Sequence, residues 1–233
     1  MSTGSHRLPA PWGSRIDRDR RLGFSFEGRP YAGCEGDTIA TALAAHGVRV
    51  LSRSFKYHRP RGLHTLGGHD ANALVQLPGE PNVRGDVRAL AQGMQVLPQN
   101  VAGSLARDAL GVLDRLGAYL PVGFYYRAFY RPRGAWSLWD RLLRRLAGLG
   151  RVDVHAHHVA GDKRYLHADV AVLGGGPAGM SAALSAASAG ARVLLVEEQP
   201  VLGGALEWAR LDADGVQAAA LLARLRGAVA AQP

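Results

Sequence analysis

The sequence predicts two domains of different class in series: a small α+β domain, then the start of an α/β dinucleotide-binding domain. Three observations predict this. The apolar run Val170–Leu173 opens onto Gly174-Gly-Gly-Pro-Ala-Gly179, a strand feeding a glycine turn. Between Phe24 and Leu77 the pattern passes from hairpin to helix to further short strands. The charge also divides. From His167 onward four arginines (192, 210, 224, 226) face six acids (169, 197, 198, 207, 212, 214), a balance of −2, so with a total of +9 the first 166 residues carry +11.

The chain begins with Met1–Arg21, rich in Gly, Pro, Ser and Arg. It has no apolar core of the kind a secretion signal needs, so it reads as a flexible arm, and a cytoplasmic setting is the default. Phe24 and Phe26 alternate with small or polar residues, and Glu27-Gly28 turns the chain toward Tyr31, which predicts a hairpin. Asp37 stands where an N-cap belongs. Ile39, Ala42, Leu43 and His46 mark one helical face, and Gly47 ends the helix. Val48–Leu51 and Ala73–Leu77 read as strands, the second closed by the turn Pro78-Gly-Glu-Pro81. Hairpin, helix and further strands make a β-grasp domain over residues 22–100.

Inside it lies Arg53-Ser-Phe-Lys-Tyr-His-Arg-Pro-Arg61, where Arg53, Lys56, Arg59 and Arg61 interleave with Phe55 and Tyr57. That composition suits a single-strand nucleic-acid surface, a clamp on a cofactor phosphate, a partner contact or a solvated loop. Residues 101–165 read as a helical and aromatic connector. Leu105, Leu110, Leu113, Leu116 and Leu120 have helical spacing. Pro121–Arg133 is an aromatic–arginine stretch, and Leu138–Gly148 reads as a helix carrying Arg141, Arg144 and Arg145. So many aromatic side chains suit packing between domains or subunits.

Residues 166–233 carry the most specific chemistry. Gly174, Gly176 and Gly179 form G-x-G-x-x-G, with Gly175, Pro177 and Ala178 between them. Seventeen residues, Met180–Val196, separate Gly179 from Glu197, and they hold a small-residue helix (Met180–Ala189) and a second strand (Val193–Val196). This is the order of a dinucleotide-binding, Rossmann-like βαβ unit. Gly174 permits the tight turn, Gly176 lets the backbone approach a pyrophosphate, and Gly179 lets the helix lie close to the strand. The helix N-terminus offers N–H groups and partial positive charge to phosphates, and Pro177 costs little in a first turn. Glu197 can accept hydrogen bonds from a ribose and repels a 2′-phosphate, which favours NAD or FAD over NADP. Only Gly203-Gly204 and one helix, Gly215–Ala231, follow, so the domain reads as incomplete and the chain as the N-terminal piece of a longer polypeptide. Val170–Ala191 is uncharged and long enough to span a bilayer. Three consecutive glycines, a proline and three serines argue against that.

The single cysteine, Cys34, excludes an internal disulfide and any site built from several thiolates. His64 and His69 lack further ligands around them and read as structural or exposed. No catalytic acid, base or nucleophile stands out, and Cys34 has no assigned base.

The set Phe26-Glu-Gly-Arg-Pro-Tyr31, Gly36-Asp-Thr38, Arg53–Gly62, Asn72-Ala-Leu-Val75, Gln99-Asn100, Gly123-Phe-Tyr-Tyr126 and Gly174–Gly179 is similar to the start of the α subunits of heterotetrameric sarcosine oxidases. Related amino-acid and opine oxidoreductases look alike here. The resemblance covers almost everything after Leu22, and Arg53–Gly62 is its most specific part. It implies a ferredoxin-like [2Fe–2S] type fold followed by an NAD-binding domain. Cluster-bearing relatives place three cysteines shortly after the Pro-Arg-Gly. Leu63–Ala73 has none, and Thr65, Asp70 and Ala73 stand near the counterpart positions, so the fold is expected without its iron–sulfur cluster.

By the same resemblance, Gly174, Gly176, Gly179 and Glu197, with Glu198 and Gly204, hold NAD. A flavin-bearing β-type subunit oxidises sarcosine or a similar secondary amine, with FMN at the subunit contact. An FAD-dependent NAD(P)H reductase-type subunit and a non-catalytic assembly scaffold are the alternatives. Specific nucleic-acid binding and membrane insertion are not expected.

Overall fold

The computed structural model describes residues 6–9, 12–13, 15–65, 68, 70, 72–119, 122–123, 131–147, 152–155, 161–209 and 216–232. The chain divides into two compact units, Met1–His157 and His158–Pro233.

In the first unit β1 (Asp17–Phe26) and β2 (Arg29–Glu35) form an antiparallel hairpin with Phe24 opposite Tyr31. Glu27 and Gly28 turn it with φ of 52° and 74°. Two successive positive φ values match the twist of the flanking strands. Helix α1 (Ile39–Ala45) follows, then a short antiparallel pair, β3 (Ser52–Arg53) with β4 (Pro60–Arg61). Strands β5 (Leu74–Leu77), β6 (Glu80–Arg84) and β7 (Gln95–Pro98) complete a five-stranded sheet in the order β2-β1-β7-β5-β6, with β1 and β7 parallel. Phe24 and Phe26 face inward at the strand period and pack with Ile39, Leu43, Val75 and Val96 from the helix and the inner strands. Burying a side chain such as Ile39 or Leu43 contributes about 1.5–3 kcal/mol, and both are fully buried.

Several local expectations differ from this structure. Among the described residues of the expected arm, His6 and Arg7 are held by the domain. His6 N–H donates to Ala45 O at 2.9 Å, Arg7 grips both oxygens of Asp37, and β1 starts at Asp17. Asp37 is not the N-cap. Its carboxylate takes Arg7, the Cys34 N–H (2.7 Å) and the Thr41 hydroxyl (2.9 Å), so the next residue, Thr38, caps α1 in a reciprocal box with Thr41. Gly47, at φ 73°, closes the helix as expected. The strand expected at Val48–Leu51 lies instead at Ser52–Arg53, because Leu51 N–H and Arg53 N–H donate to Arg61 O and Gln99 O. The turn after β5 is tighter than expected, since Leu77 already pairs with Glu80.

Leu105, Leu110, Leu113 and Leu116 do not form one helix, and Leu120 lies outside the described residues. Leu105 belongs to the core, whereas Leu116 is 46% exposed. Asp108 caps a 3-10 turn (Ala109–Gly111), followed by α2 (Val112–Arg115) and a second 3-10 turn (Gly117–Tyr119). Helix α3 spans Trp136–Ala147. Of the aromatic–arginine stretch, residues 121 and 124–130 lie outside the described residues, as do His69, Gly148 and Gly215.

The second unit contains β8 (Val170–Leu173), α4 (Pro177–Ser188), β9 (Val193–Val196), a 3-10 turn (Gly204–Glu207) and α5 (Val216–Ala230). β8 and β9 pair in parallel from Val170–Val193 to Leu173–Val196. Both ends of that register are pinned. Arg192 meets Asp169 through its side chain (Nη2 to Oδ1, 2.9 Å) and its own N–H, and Gly174 N–H donates to Val196 O at 2.8 Å. Met180, Leu206, Ala218, Leu222 and Leu225 form the core between the helices. Among the described residues no helix is long and apolar enough to cross a membrane.

Candidate functional site

The glycine loop joins β8 to α4, as the pattern of residues requires. Gly174 sits at φ 103°, in a region L side chains rarely adopt. Gly176 is the N-cap of α4 in extended backbone, no side chain caps it, and Pro177 opens the first turn. The first-turn N–H groups and the positive end of the helix dipole are therefore presented beside glycine backbone.

The glycines have distinct jobs. A Cβ on Gly179 would lie 1.8 Å from Gly174 O, so helix and strand touch there. A Cβ on Gly175 would lie 2.4 Å from Leu202 Cδ2 and 3.0 Å from Glu197 Oε2, so that residue is packed from below. A Cβ on Gly176 would meet nothing within 4 Å, which leaves this face of the loop open. Gly174, Ala178, Glu198 and Gly204 are exposed, and Gly175 is buried.

Glu197 closes the second strand and reaches back across the unit. Its Oε2 accepts from Gly175 N–H and its Oε1 from Gln199 N–H at 2.8 Å. The backbone donors of Gln199 and then Gly175 hold its carboxyl below the usual range. Glu197 thus orders the loop itself, and each carboxylate oxygen keeps a further lone pair for another donor.

A second glycine turn, at Gly203-Gly204, braces the first. Gly203 N–H donates to Gly175 O at 2.8 Å, and a Cβ on Gly204 would lie 3.0 Å from Gly176 Cα. The local signal for it was the pair of adjacent glycines, at φ 133° and 50°.

In the first unit the basic segment is folded onto its own domain. Arg53 donates to His58 O (3.1 Å) and to Leu105 O. Arg59 pairs with Asp114 at 2.6 Å, and Arg61 donates to Asn72 Oδ1 at 3.0 Å. Lys56 and Arg59 both lie 4.7 Å from the centre of the Tyr57 ring. His58 is buried, with Nδ1 2.7 Å from Asp108. All four cations of the segment are engaged with protein groups, which is poor geometry for a surface that tracks a nucleic-acid backbone.

The buried carboxylate of Asp70 accepts from the N–H groups of His64, Thr65 (3.0 Å) and Asn72 (2.7 Å). Cys34 is fully buried, and His64 is exposed.

Comparison with known proteins finds one family match within each unit. Residues 19–101 match the 2Fe-2S iron-sulfur cluster binding domain family, and residues 169–218 match the FAD dependent oxidoreductase family. The fold resembles that of L-proline dehydrogenase from P. horikoshii, with a TM-score of 0.51 at 21% identity over 91% of this chain and 32% of that one. The class is thus a ferredoxin-type module joined to a segment of FAD-dependent oxidoreductase type. More particularly, the chain is similar to the α subunits of sarcosine oxidase. It is 44% identical to that of Rhizobium meliloti (strain 1021) over 92% of this chain and 22% of the relative. It is 31% identical to that of Corynebacterium sp. (strain U-96) over 89% of this chain and 17% of the relative. The chain therefore spans about a fifth of the length of the curated relatives it matches.

The residues present do not fit the iron–sulfur group that the first family's description implies. A [2Fe–2S] centre takes four cysteines, or two cysteines with two histidines. This chain has one cysteine, buried at the start of the Asp37 turn. Among the described residues no group of three or more His, Cys, Asp or Glu could hold a metal ion.

Proposed function

We propose that residues 166–233 form the opening of a Rossmann-like domain and bind the adenosine–pyrophosphate half of a dinucleotide. The observation that supports this most directly is the open face at Gly176, set at the uncapped N-terminus of α4 and next to Gly175, whose N–H the Glu197 carboxylate accepts. The helix N-terminus and the backbone of Gly174, Gly175, Gly176, Pro177, Ala178 and Gly179 would hold the pyrophosphate. Glu197, its carboxyl held below the usual range, would accept ribose hydroxyls and repel a 2′-phosphate, with Glu198 and Gly204 at the rim. The match to FAD-dependent oxidoreductases favours FAD, and NAD is the second reading, since both share the half that this loop contacts. The dinucleotide would supply two-electron redox chemistry, and the chain's own residues bind and orient it.

On this reading the protein is a subunit of an amine oxidoreductase acting on sarcosine or a similar secondary amine, assembled with a flavin-bearing β-type subunit. The names of its relatives support that assignment. The first unit serves as a structural module that holds no cluster. To test the reading, the intact protein is denatured, its released cofactors are identified by mass spectrometry, and the apoprotein is titrated with FAD, NAD and NADP. FAD or NAD binding with NADP much weaker is expected. NADP bound as tightly as FAD or NAD, or no dinucleotide bound at all, would remove the reading.

A further inference from the structure

We propose that Arg226 is a positioning residue for the glycine loop, acting through the second glycine turn. It sits on α5, fifty residues beyond Gly176, and touches neither Gly175 nor Gly176 in any contact described above. Its Nε donates to Leu202 O at 2.9 Å, and its Nη2 donates both to the same carbonyl and to Glu207 Oε1. One guanidinium therefore holds the two ends of the turn 202–207.

The turn can take that grip only because Gly203 has no side chain. A Cβ there would lie 2.7 Å from Leu222 Cδ1, 3.0 Å from Glu207 Oε1 and 3.2 Å from Arg226 Nη2. The ion pair thus occupies the space beside Gly203, whose φ of 133° also suits glycine. Held this way, the turn meets the glycine loop at three points. Gly203 N–H donates to Gly175 O, Leu202 covers the Cα of Gly175, and Gly204 backs onto Gly176. Those contacts set the floor on which a pyrophosphate would rest. Arginine suits the position because a fork of donors from a planar group meets a carbonyl and a carboxylate at once, which a lysine ammonium on a flexible stem does poorly.

The proposal rests on the dinucleotide reading, and the test separates the two. Arg226→Met, Arg226→Lys and Gly176→Ala are compared with wild type in the intact protein. FAD and NAD affinities are measured by titration, and hydrogen exchange is followed at the Gly203 and Gly174 amides. Arg226→Met should raise the dissociation constant about tenfold, the factor expected if the loop keeps its binding shape a tenth of the time. Gly203, whose bond to Gly175 O would then be open most of the time, should lose nearly all of its protection, while Gly174, bonded to Val196 O in the β8–β9 pair, should not change. Arg226→Lys should fall between Arg226→Met and wild type. If Arg226→Met binds as wild type while Gly176→Ala has lost affinity, the clamp is wrong and the glycine loop stands. If Gly174 loses protection in step with Gly203, Arg226 merely supports the whole unit and the proposal fails. Wild-type affinity in Gly176→Ala would instead remove the dinucleotide reading itself.

Discussion

Replacing Gly176 or Gly179 by alanine should separate binding from folding, although the two glycines are three residues apart. A Cβ at Gly179 would stand 1.8 Å from Gly174 O, where ordinary contact begins at 3.4 Å, so α4 must retreat from the strand by about 1.6 Å. The obstacle is a backbone carbonyl whose position is pinned by the β8–β9 register, so it cannot swing aside as a flexible side chain would. Overpacking of this kind costs about 1–3 kcal/mol. Alanine recovers at most about 1 kcal/mol of helix propensity. The balance is destabilising, and a loss of one to two kcal/mol multiplies the open population by about 5–30. Exchange at the Gly174 amide reads that population.

Gly176 behaves oppositely. Its φ of −71° suits alanine, and its Cβ would meet nothing within 4 Å. Gly176→Ala should leave Gly174 exchange at the wild-type rate and abolish dinucleotide binding, because the added methyl stands only where a ligand would. Wild-type exchange in Gly179→Ala would show that helix and strand do not touch there. Faster exchange in Gly176→Ala would show that the open face is packed after all. Either result refutes the reasoning.

Two further outcomes follow from the first unit. Asp70→Asn should destabilise the first unit by about 1.5–3 kcal/mol, the worth of hydrogen bonds to a charged acceptor. Burial raises the Asp70 pKa, but the N–H groups of Thr65, His64 and Asn72 together bring it below the usual value. Its contribution is therefore complete above the unfolded value of about 3.9 and fades as pH falls through the lower folded value. The difference in denaturation midpoint between wild type and variant should shrink from pH 7 toward pH 3, and a constant difference would contradict the charge argument. Anaerobic reconstitution with iron and sulfide should yield no stoichiometric cluster by metal and sulfide assay, since one thiolate cannot complete a four-ligand site. A [2Fe–2S] absorption spectrum would overturn that expectation.

The features that the sequence alone determined are those set by a few neighbouring residues. Phe24 and Phe26 at period two, with Glu27-Gly28 after them, suffice for the first hairpin, because side-chain alternation and positive φ are local properties. Val170–Leu173 followed by three glycines and a proline suffices for a strand, a turn and a helix start, and Gly47 for a helix end. What the tertiary structure alone decided are the pairings between distant groups. Asp37 left its expected cap because Arg7, thirty residues earlier, claimed its carboxylate. The leucines after 105 kept helical spacing but not one buried face, because Asp108 was drawn to His58 and to backbone N–H groups. Glu197 was legible as an acid at the end of a strand, but not as the anchor of Gly175. Arg226 was legible only as a charge on a helix. Periodicity and turn chemistry fix where a chain bends and which side it buries. Which donor meets which acceptor depends on the folded path between them, and no local pattern contains that path.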